Sequence, residues 1–185
     1  MTNSELETAR EFVVRQKIMM VANEFFIETL DGNPLAYARQ KVMALRERVT
    51  FFTDSSMMVP VFSFQARNVM DMSAVCDVFD GTGEQIGYFQ KDVARSLLRS
   101  SWHVHCESGR YLGRERSKFG AIARRVVDLP MWYNFDFDRE DGAPGFSIDR
   151  QMTLRDSYRV SVGDPQIDGR VVAALAVAMD VLQNR

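Results

Sequence analysis

The sequence predicts a mainly β protein: a closed antiparallel barrel of about twelve strands that encloses a C-terminal hydrophobic α-helix. Three observations predict this class. Residues 171–182 are apolar apart from Asp180. Before them, short segments rich in β-branched and aromatic residues alternate with turn residues, as in sandwiches and barrels. The chain also repeats one strand–turn–strand pattern three times.

The C-terminal helix is predicted to be buried on every side, because eleven of the twelve residues 171–182 are apolar and leave no polar face. Its alanines favour helix and keep it thin, and Asp168 is a plausible N-cap after Pro165. At about 1.5 Å per residue the helix is about 18 Å long. A bilayer needs about 20 apolar residues, so the segment fits the lumen of a small barrel instead.

The elements before this helix follow in order. Residues 1–11 are polar and form a short helix or a frayed arm, with Ser4 and Glu7 in capping-box positions. Residues 12–185 form one barrel domain. Residues 92–100 are interpreted as a helical turn. The predicted strands are 15–30, as two strands that break near Asn23, and then 35–41, 49–53, 61–68, 73–80, 85–91, 102–107, 111–115, 121–127, 132–137, 146–151 and 158–162.

Three similar blocks organise these strands, each with an Asp-Gly turn between two strands. They are FIETLDGNPLAYARQ from Phe26, VCDVFDGTGEQIGYFQK from Val75 and NFDFDREDGAPGFSIDRQ from Asn134. A Leu-Arg step follows each block, at Leu45, Leu98 and Leu154. Closing three such units into a barrel removes exposed strand edges and leaves a lumen for the helix.

Two stretches carry a resemblance to a known family: DVFDGTGEQIGYFQKDVARSLLRSSWHV and the closing DGRVVAALAVAMDVLQ. The chain from Val13 onward resembles the tubby C-terminal-like superfamily, in particular its LURP-one-related and phospholipid-scramblase-like branch and the bacterial proteins similar to it. The resemblance implies a closed antiparallel barrel of twelve strands around a hydrophobic helix. Tubby domains bind phosphoinositide headgroups, but no headgroup-binding motif of theirs matches this sequence.

The composition and the net charge limit the compartments and the partners that we expect for this protein. The net charge of -2 gives no global attraction to nucleic acid. Cys76 and Cys106 do not form a disulfide framework and indicate a reducing compartment or one optional bridge. The acidic N-terminus is unlike a signal peptide, and no segment is long and apolar enough to cross a bilayer. We therefore expect a cytoplasmic protein, membrane-peripheral if it binds lipid.

The strongest candidate for a binding site is the basic stretch 91–125. It holds nine basic and three acidic residues, a net charge of +6, which leaves -8 for the rest of a chain of charge -2. Clustered Lys and Arg attract anionic headgroups, and alternate residues of a strand share one face. The candidate anion- or lipid-binding residues are Arg110, Arg114, Arg116, Lys118, Arg124 and Arg125. The alternative is a solvated barrel wall whose charges pair with neighbouring acidic strands.

Three other groups are interpreted as structural. His103 and His105 share one strand face, with Cys106 opposite, but zinc needs three or four ligands, so no metal site is predicted. The acidic run from Asp136 to Gly142 has one residue too many for an EF-hand loop and is interpreted as a turn. The arginines that recur in the repeats, Arg46, Arg99 and Arg155, are interpreted as corner residues.

The sequence has no motif for nucleophilic catalysis, nucleotide binding or metal-dependent hydrolysis. We therefore expect that the protein is not an enzyme and has no cofactor. The first hypothesis is a non-enzymatic binding module that meets an anionic membrane surface or an acidic partner protein. The alternatives are a carrier of an apolar ligand or lipid whose central helix can be displaced, and a scramblase-like membrane protein. The sequence leaves the ligand and the oligomeric state open.

Overall fold

The computed structural model of the protein describes residues 3–19, 22–41, 48–67, 75–92, 101–116, 134–151 and 157–183. Two helices and twelve strands lie within them. In chain order these are α1 (Asn3–Thr8), β1 (Glu11–Ile18), β2 (Ala22–Glu28), β3 (Pro34–Lys41), β4 (Val49–Phe52), β5 (Pro60–Ala66), β6 (Val75–Asp80), β7 (Gln85–Asp92), β8 (Ser101–Cys106), β9 (Gly109–Glu115), β10 (Asn134–Arg139), β11 (Pro144–Gln151), β12 (Ser157–Val162) and α2 (Gly169–Gln183).

The strands form a closed barrel, which confirms the predicted fold class. Each strand is antiparallel to its neighbours in sequence, and β1 pairs with β12 to close the sheet. Across this closing pair Phe12 lies opposite Val160. Closure leaves no strand edge on which another chain could pair.

The structure moves some predicted boundaries and leaves others untested. The two strands predicted within residues 15–30 are confirmed: β1 ends at Ile18 and β2 begins at Ala22, so the break comes just before Asn23, which lies inside β2 opposite Ile18. Asparagine is uncommon in strands, but here it stands half-buried in the sheet. The predicted strand 121–127 lies outside the described residues. So do residues 93–100, Leu45, Leu98 and Leu154, and the arginines Arg46, Arg99 and Arg155.

Helix α2 fills the lumen, as the sequence predicts. Every residue from Val171 to Ala178 has zero exposure. The helix begins at Gly169, two residues earlier than predicted, and Asp168 is its N-cap, since Oδ1 of Asp168 accepts a hydrogen bond from the Arg170 amide at 2.8 Å. No helix in the described part of the chain is long and apolar enough to span a membrane.

Aromatic side chains from the strands pack around α2, because alternate strand residues point inward. Phe51 and Phe62 stack with their ring centroids 4.5 Å apart, and Phe137 and Phe146 stack at 4.3 Å. These rings are buried. Burial of large side chains contributes about 1.5–3 kcal/mol each, so the aromatic lining and the apolar helix stabilise each other.

The two ends of the barrel differ. The described hairpin turns lie at one end, where α1 also packs and α2 begins, because antiparallel strands place alternate connections at the same end. We call this the turn end. It comprises α1 and residues 29–33, 53–59, 81–84, 107–108, 140–143 and 163–168. Each of these connections contains an acidic residue: Asp31, Asp54, Glu84, Glu107, Glu140 with Asp141, and Asp164 with Asp168.

Candidate functional site

The basic stretch runs along the outer wall of the barrel. Arg110 and Arg114 lie on β9 and Arg116 follows it, and all three are exposed on the outer face. Along the strand these arginines alternate with buried residues, among them Tyr111 and Glu115, so the arginine side chains point outward. Lys118, Arg124 and Arg125 lie outside the described residues.

Arg116 is bound by acidic residues of the neighbouring strands. Its Nε donates to Asp136 Oδ2 at 2.8 Å and a second guanidinium nitrogen binds Asp136 Oδ1, while Nη1 lies 3.1 Å from Asp149 Oδ1. The hydrogen bonds with Asp136 raise the pKa of Arg116. This arginine therefore links β9, β10 and β11, as expected if the basic stretch is a solvated barrel wall whose charges pair with neighbouring acidic strands.

Arg110 and Arg114 have different surroundings from Arg116. Arg114 lies opposite Ser101 on one side and Asp136 on the other, and Arg110 lies opposite His105. Within the described ranges neither guanidinium forms an ion pair. Because strand residues rise about 3.3 Å each, these two charges stand about 13 Å apart along the wall. They are the described members of the basic stretch that an external anion can reach.

A stacked row of side chains adjoins Arg110, and sequence reasoning missed it. The rings of Tyr88 and His105 are parallel with centroids 4.5 Å apart, and the Arg67 guanidinium lies 5.0 Å from the Tyr88 centroid. Arg67 also binds Asp77 through two hydrogen bonds, at 2.7 and 2.6 Å. Tyr88 lies opposite Asp77 and His105 in the sheet. The Asp80-Gly81 turn was the sequence signal for the pairing of β6 with β7, which places Asp77 opposite Tyr88. The pairing of Tyr88 with His105 depends on β8 as well.

The histidines lie as predicted on one outer face of β8. His103 Nε2 is 3.9 Å from Asp92 Oδ2. Burial lowers the pKa of His105, and the nearby charge of Arg110 lowers it further. Among the described residues no group of three or more possible metal ligands lies together.

Two carboxylates of the acidic run that faintly resembles a calcium loop, Asp136 and Asp141, accept hydrogen bonds from protein donors. Asp136 binds Arg116, as above. Asp141 accepts a hydrogen bond from Arg139 Nε at 2.8 Å and from the Ala143 amide at 3.0 Å. The hydrogen bond from Arg139 lowers the pKa of Asp141 to about 2. Gly142 follows with φ of 84°, a conformation that favours glycine, so the run forms a turn.

A polar network closes the turn end of the lumen. The Tyr111 hydroxyl donates to Asp164 Oδ2 at 2.8 Å and lies 2.8 Å from Ser108 Oγ, which in turn is 3.1 Å from Cys106 Sγ. Arg139 Nη1 is 3.3 Å from Asp164 Oδ2. Burial raises the pKa of the Cys106 thiol. A thiol held protonated is a poor nucleophile, so the network holds the loop before α2 in place and does not activate the cysteine.

An open groove of about 650 Å³ lies beside this network. Its walls are α1, the turns 81–84 and 107–108, and the loop that leads into α2. Tyr88, His105, Arg10 and Arg170 also line it. The lumen itself is occupied by α2, so the outer wall and this groove are the surfaces that the described residues offer to a ligand.

Comparisons with known proteins agree with the fold. The family model described as LURP-one-related matches residues 35–180. Among solved structures, the X-ray structure of a protein from Arabidopsis thaliana has a TM-score of 0.52 and 19% sequence identity, over 97% of this chain and 95% of that one. At this identity the likeness shows the fold alone. No curated protein matches the chain.

Proposed function

The chain belongs to the LURP-one-related family, and we propose that it is a non-enzymatic binding module whose outer wall at β9 contacts an anionic surface. The observation that carries the proposal is the pair of exposed guanidinium groups on β9, Arg110 and Arg114, without an ion-pair partner among the described residues. Lys118, Arg124 and Arg125 extend the same basic stretch in sequence. A membrane rich in acidic lipid is the anionic surface that we propose first, since each Lys or Arg near such a surface contributes about 1 kcal/mol.

The occupied lumen supports a surface function. Val171 to Ala178 are fully buried, and the start of α2 is fixed by the Asp168 cap and by Arg170, whose Nη2 lies 3.4 Å from Glu7 of α1. Removing the helix to admit an apolar ligand would expose its whole apolar surface to water, at about 25 cal/mol per Å². The observations therefore favour the binding module over a carrier with a displaceable helix, and none favours the scramblase-like alternative.

The location that fits this proposal is the cytoplasmic face of a membrane. Cys76 and Cys106 are both free thiols in the structure, which agrees with a reducing compartment. The relation to tubby domains that the sequence resemblance implies would fit the same ligand class. An acidic partner protein would meet the same two arginines, and the proposal therefore needs a test with lipid alone.

Vesicle flotation tests this proposal. Wild type should float with vesicles rich in anionic lipid at low salt and less at physiological salt, because the Debye length falls from about 30 Å at 0.01 M to about 8 Å at 0.15 M. Changing both Arg110 and Arg114 to Ser should abolish flotation. The control changes Lys17 on β1 and Arg39 on β3 to Ser: both are exposed, and β3 lies directly across the barrel from β9 in the strand order.

The control removes the same net charge from a different wall, so the two double variants separate a local contact from overall charge. If both variants lose flotation equally, only net charge matters and the β9 site is wrong. If wild type does not float at low salt, the lipid proposal fails. Flotation with neutral vesicles at the same level would point to an apolar contact and would also contradict the proposal.

A further inference from the structure

The groove at the turn end has the size of a ligand site. Its volume of about 650 Å³ lies within the range of about 300–1,000 Å³ that is typical of such sites. It lies between elements that are far apart in sequence: α1, the turns 81–84 and 107–108, and the loop before α2. Closure of the barrel brings them together.

The two arginines in this groove are committed to groups of the protein itself. Arg10 donates to the carbonyl oxygens of Asp164 at 3.3 Å and Pro165 at 2.8 Å. Arg170 donates to Asp168 from Nε at 3.0 Å and from Nη2 at 2.6 Å, with Glu7 also near. Their charges hold the start of α2 and are not offered to an external anion.

Two carboxylates of the groove have no such partner. Glu84 and Glu107 are exposed, lie on neighbouring turns, and line the groove. In the part of the chain that the structure describes, neither is in an ion pair. The turn that carries Glu84 is well ordered, because Asp80 Oδ1 accepts hydrogen bonds from the amides of Thr82 and Glu84, both at 2.9 Å.

The floor between these carboxylates has apolar parts. Ile86 and Ile167 line it, together with Tyr88 and His105. Lys and Arg side chains fit such a surface, because their alkyl stems pack on apolar atoms while the charged heads remain in a polar, solvated place. The two unpaired carboxylates favour a cation over an anion in this groove.

We propose that this groove binds a basic segment of a partner polypeptide, with Glu84 and Glu107 receiving its Lys or Arg side chains. The acidic residues in every described turn at this end extend an attractive field for such a segment and repel an anionic one. The site differs from the β9 wall in position and in the sign of its charge. Failure of the lipid proposal therefore leaves this one standing, and the reverse also holds.

The test uses the full chain and a fluorescently labelled hexalysine peptide, with hexaglutamate for comparison. Wild type should bind hexalysine, more weakly as salt rises, and should not bind hexaglutamate. E84Q/E107Q should weaken hexalysine binding by about tenfold or more, as expected when two charged contacts are lost. The control D31N/E140Q removes two exposed charges at the same end outside the groove and should change affinity by less than about twofold.

A second readout locates the contact. The chain has two histidines: His105 lines the groove, and His103 lies outside it on the same strand. Imidazole NMR signals of His105 should therefore move as hexalysine is added, while those of His103 stay in place. The inference is overturned if wild type does not bind hexalysine, if both double variants weaken binding equally, or if His105 does not respond while binding is measured.

Discussion

Replacing Tyr111 with Phe should destabilise the protein by removing a buried hydroxyl that binds Asp164 and also lies 2.8 Å from Ser108 Oγ. Tyr111 is 1% exposed and its hydroxyl donates to the carboxylate of Asp164, which is 4% exposed. This bond joins β9 to the loop in which the chain leaves the wall and enters the lumen as α2. The change removes the hydroxyl and leaves the ring in place, so the packing of Tyr111 against Phe146 is preserved.

The magnitude follows from the partners that Asp164 retains. A hydrogen bond to a charged group contributes about 1.5–3 kcal/mol. The Gln166 amide at 2.8 Å and Arg139 at 3.3 Å still bind the carboxylate after the change, so it does not become an unpaired buried charge. We therefore expect the free energy of unfolding to fall by an amount near the lower limit, about 1.5–2 kcal/mol at neutral pH.

The pH dependence identifies the carboxylate as the partner. Burial alone would raise the pKa of Asp164, but the Gln166 amide, the Tyr111 hydroxyl and the charge of Arg139 outweigh it and hold the pKa below its ordinary value. The stability this gives is present above the unfolded pKa of about 3.9 and is lost as the pH falls through the lower native pKa. The difference between wild type and Tyr111→Phe should therefore be full at neutral pH and narrow below about pH 4.

Urea unfolding at a series of pH values measures both effects. The control is Tyr37→Phe, which removes a hydroxyl that donates to Glu24 at 2.9 Å. Glu24 is more exposed and also has Lys17 at 3.3 Å, so this loss should stay below about 1 kcal/mol. Equal losses in the two variants, or a Tyr111→Phe loss that does not change with pH, would refute the role assigned to Asp164.

Three other predictions concern the lumen, the thiols and the wall. Val177→Asp should prevent folding, because it buries a charge without a partner inside the barrel. Soluble protein with a cooperative unfolding transition would contradict this. Ala174→Leu should lower the free energy of unfolding, measured in urea, by about 1–3 kcal/mol through overpacking. Burial raises the pKa of the Cys76 thiol to about 12, so an alkylating reagent should reach Cys76 only after unfolding, and a denatured titration should count two thiols. Arg116→Ser should lower the free energy of unfolding by no more than about 1 kcal/mol, since its ion pairs are half-exposed. A larger loss in thermal unfolding would show that the ion pairs with Asp136 and Asp149 stabilise the protein more than ordinary surface pairs do.

The fold was largely predictable because its signals are local or periodic. An apolar segment without a polar face indicates a buried helix wherever it lies in the sequence, and α2 is buried in the lumen. The Asp-Gly turns and alternating residues mark hairpins, and β6 and β7 flank one such turn as predicted. The break before β2 lies slightly ahead of Asn23, because pairing with β1 and β3 overrides the low strand propensity of asparagine.

The side-chain partners within the site were not predictable from spacing alone. Arg116 and Asp136 are 20 residues apart in sequence, and they meet because β9 and β10 are paired in a register that depends on residues between them. The stack of Tyr88 on His105 has the same origin. Such contacts depend on strand order and register, and a shift of one residue would move every side chain to the other face of the sheet.

The charge asymmetry predicted from the sequence has a definite geometry in the barrel. The basic stretch runs up the wall along β9, whereas acidic residues occupy the turns at one end. The seven residues of β9 span about 23 Å, nearly three times the Debye length of about 8 Å at physiological salt. Charges at the two ends are therefore screened from each other, and the groove and the upper part of the wall act as separate surfaces. Because they are separate, the two proposals do not exclude each other: a basic segment bound at the turn end would leave Arg114 free to meet an anionic surface.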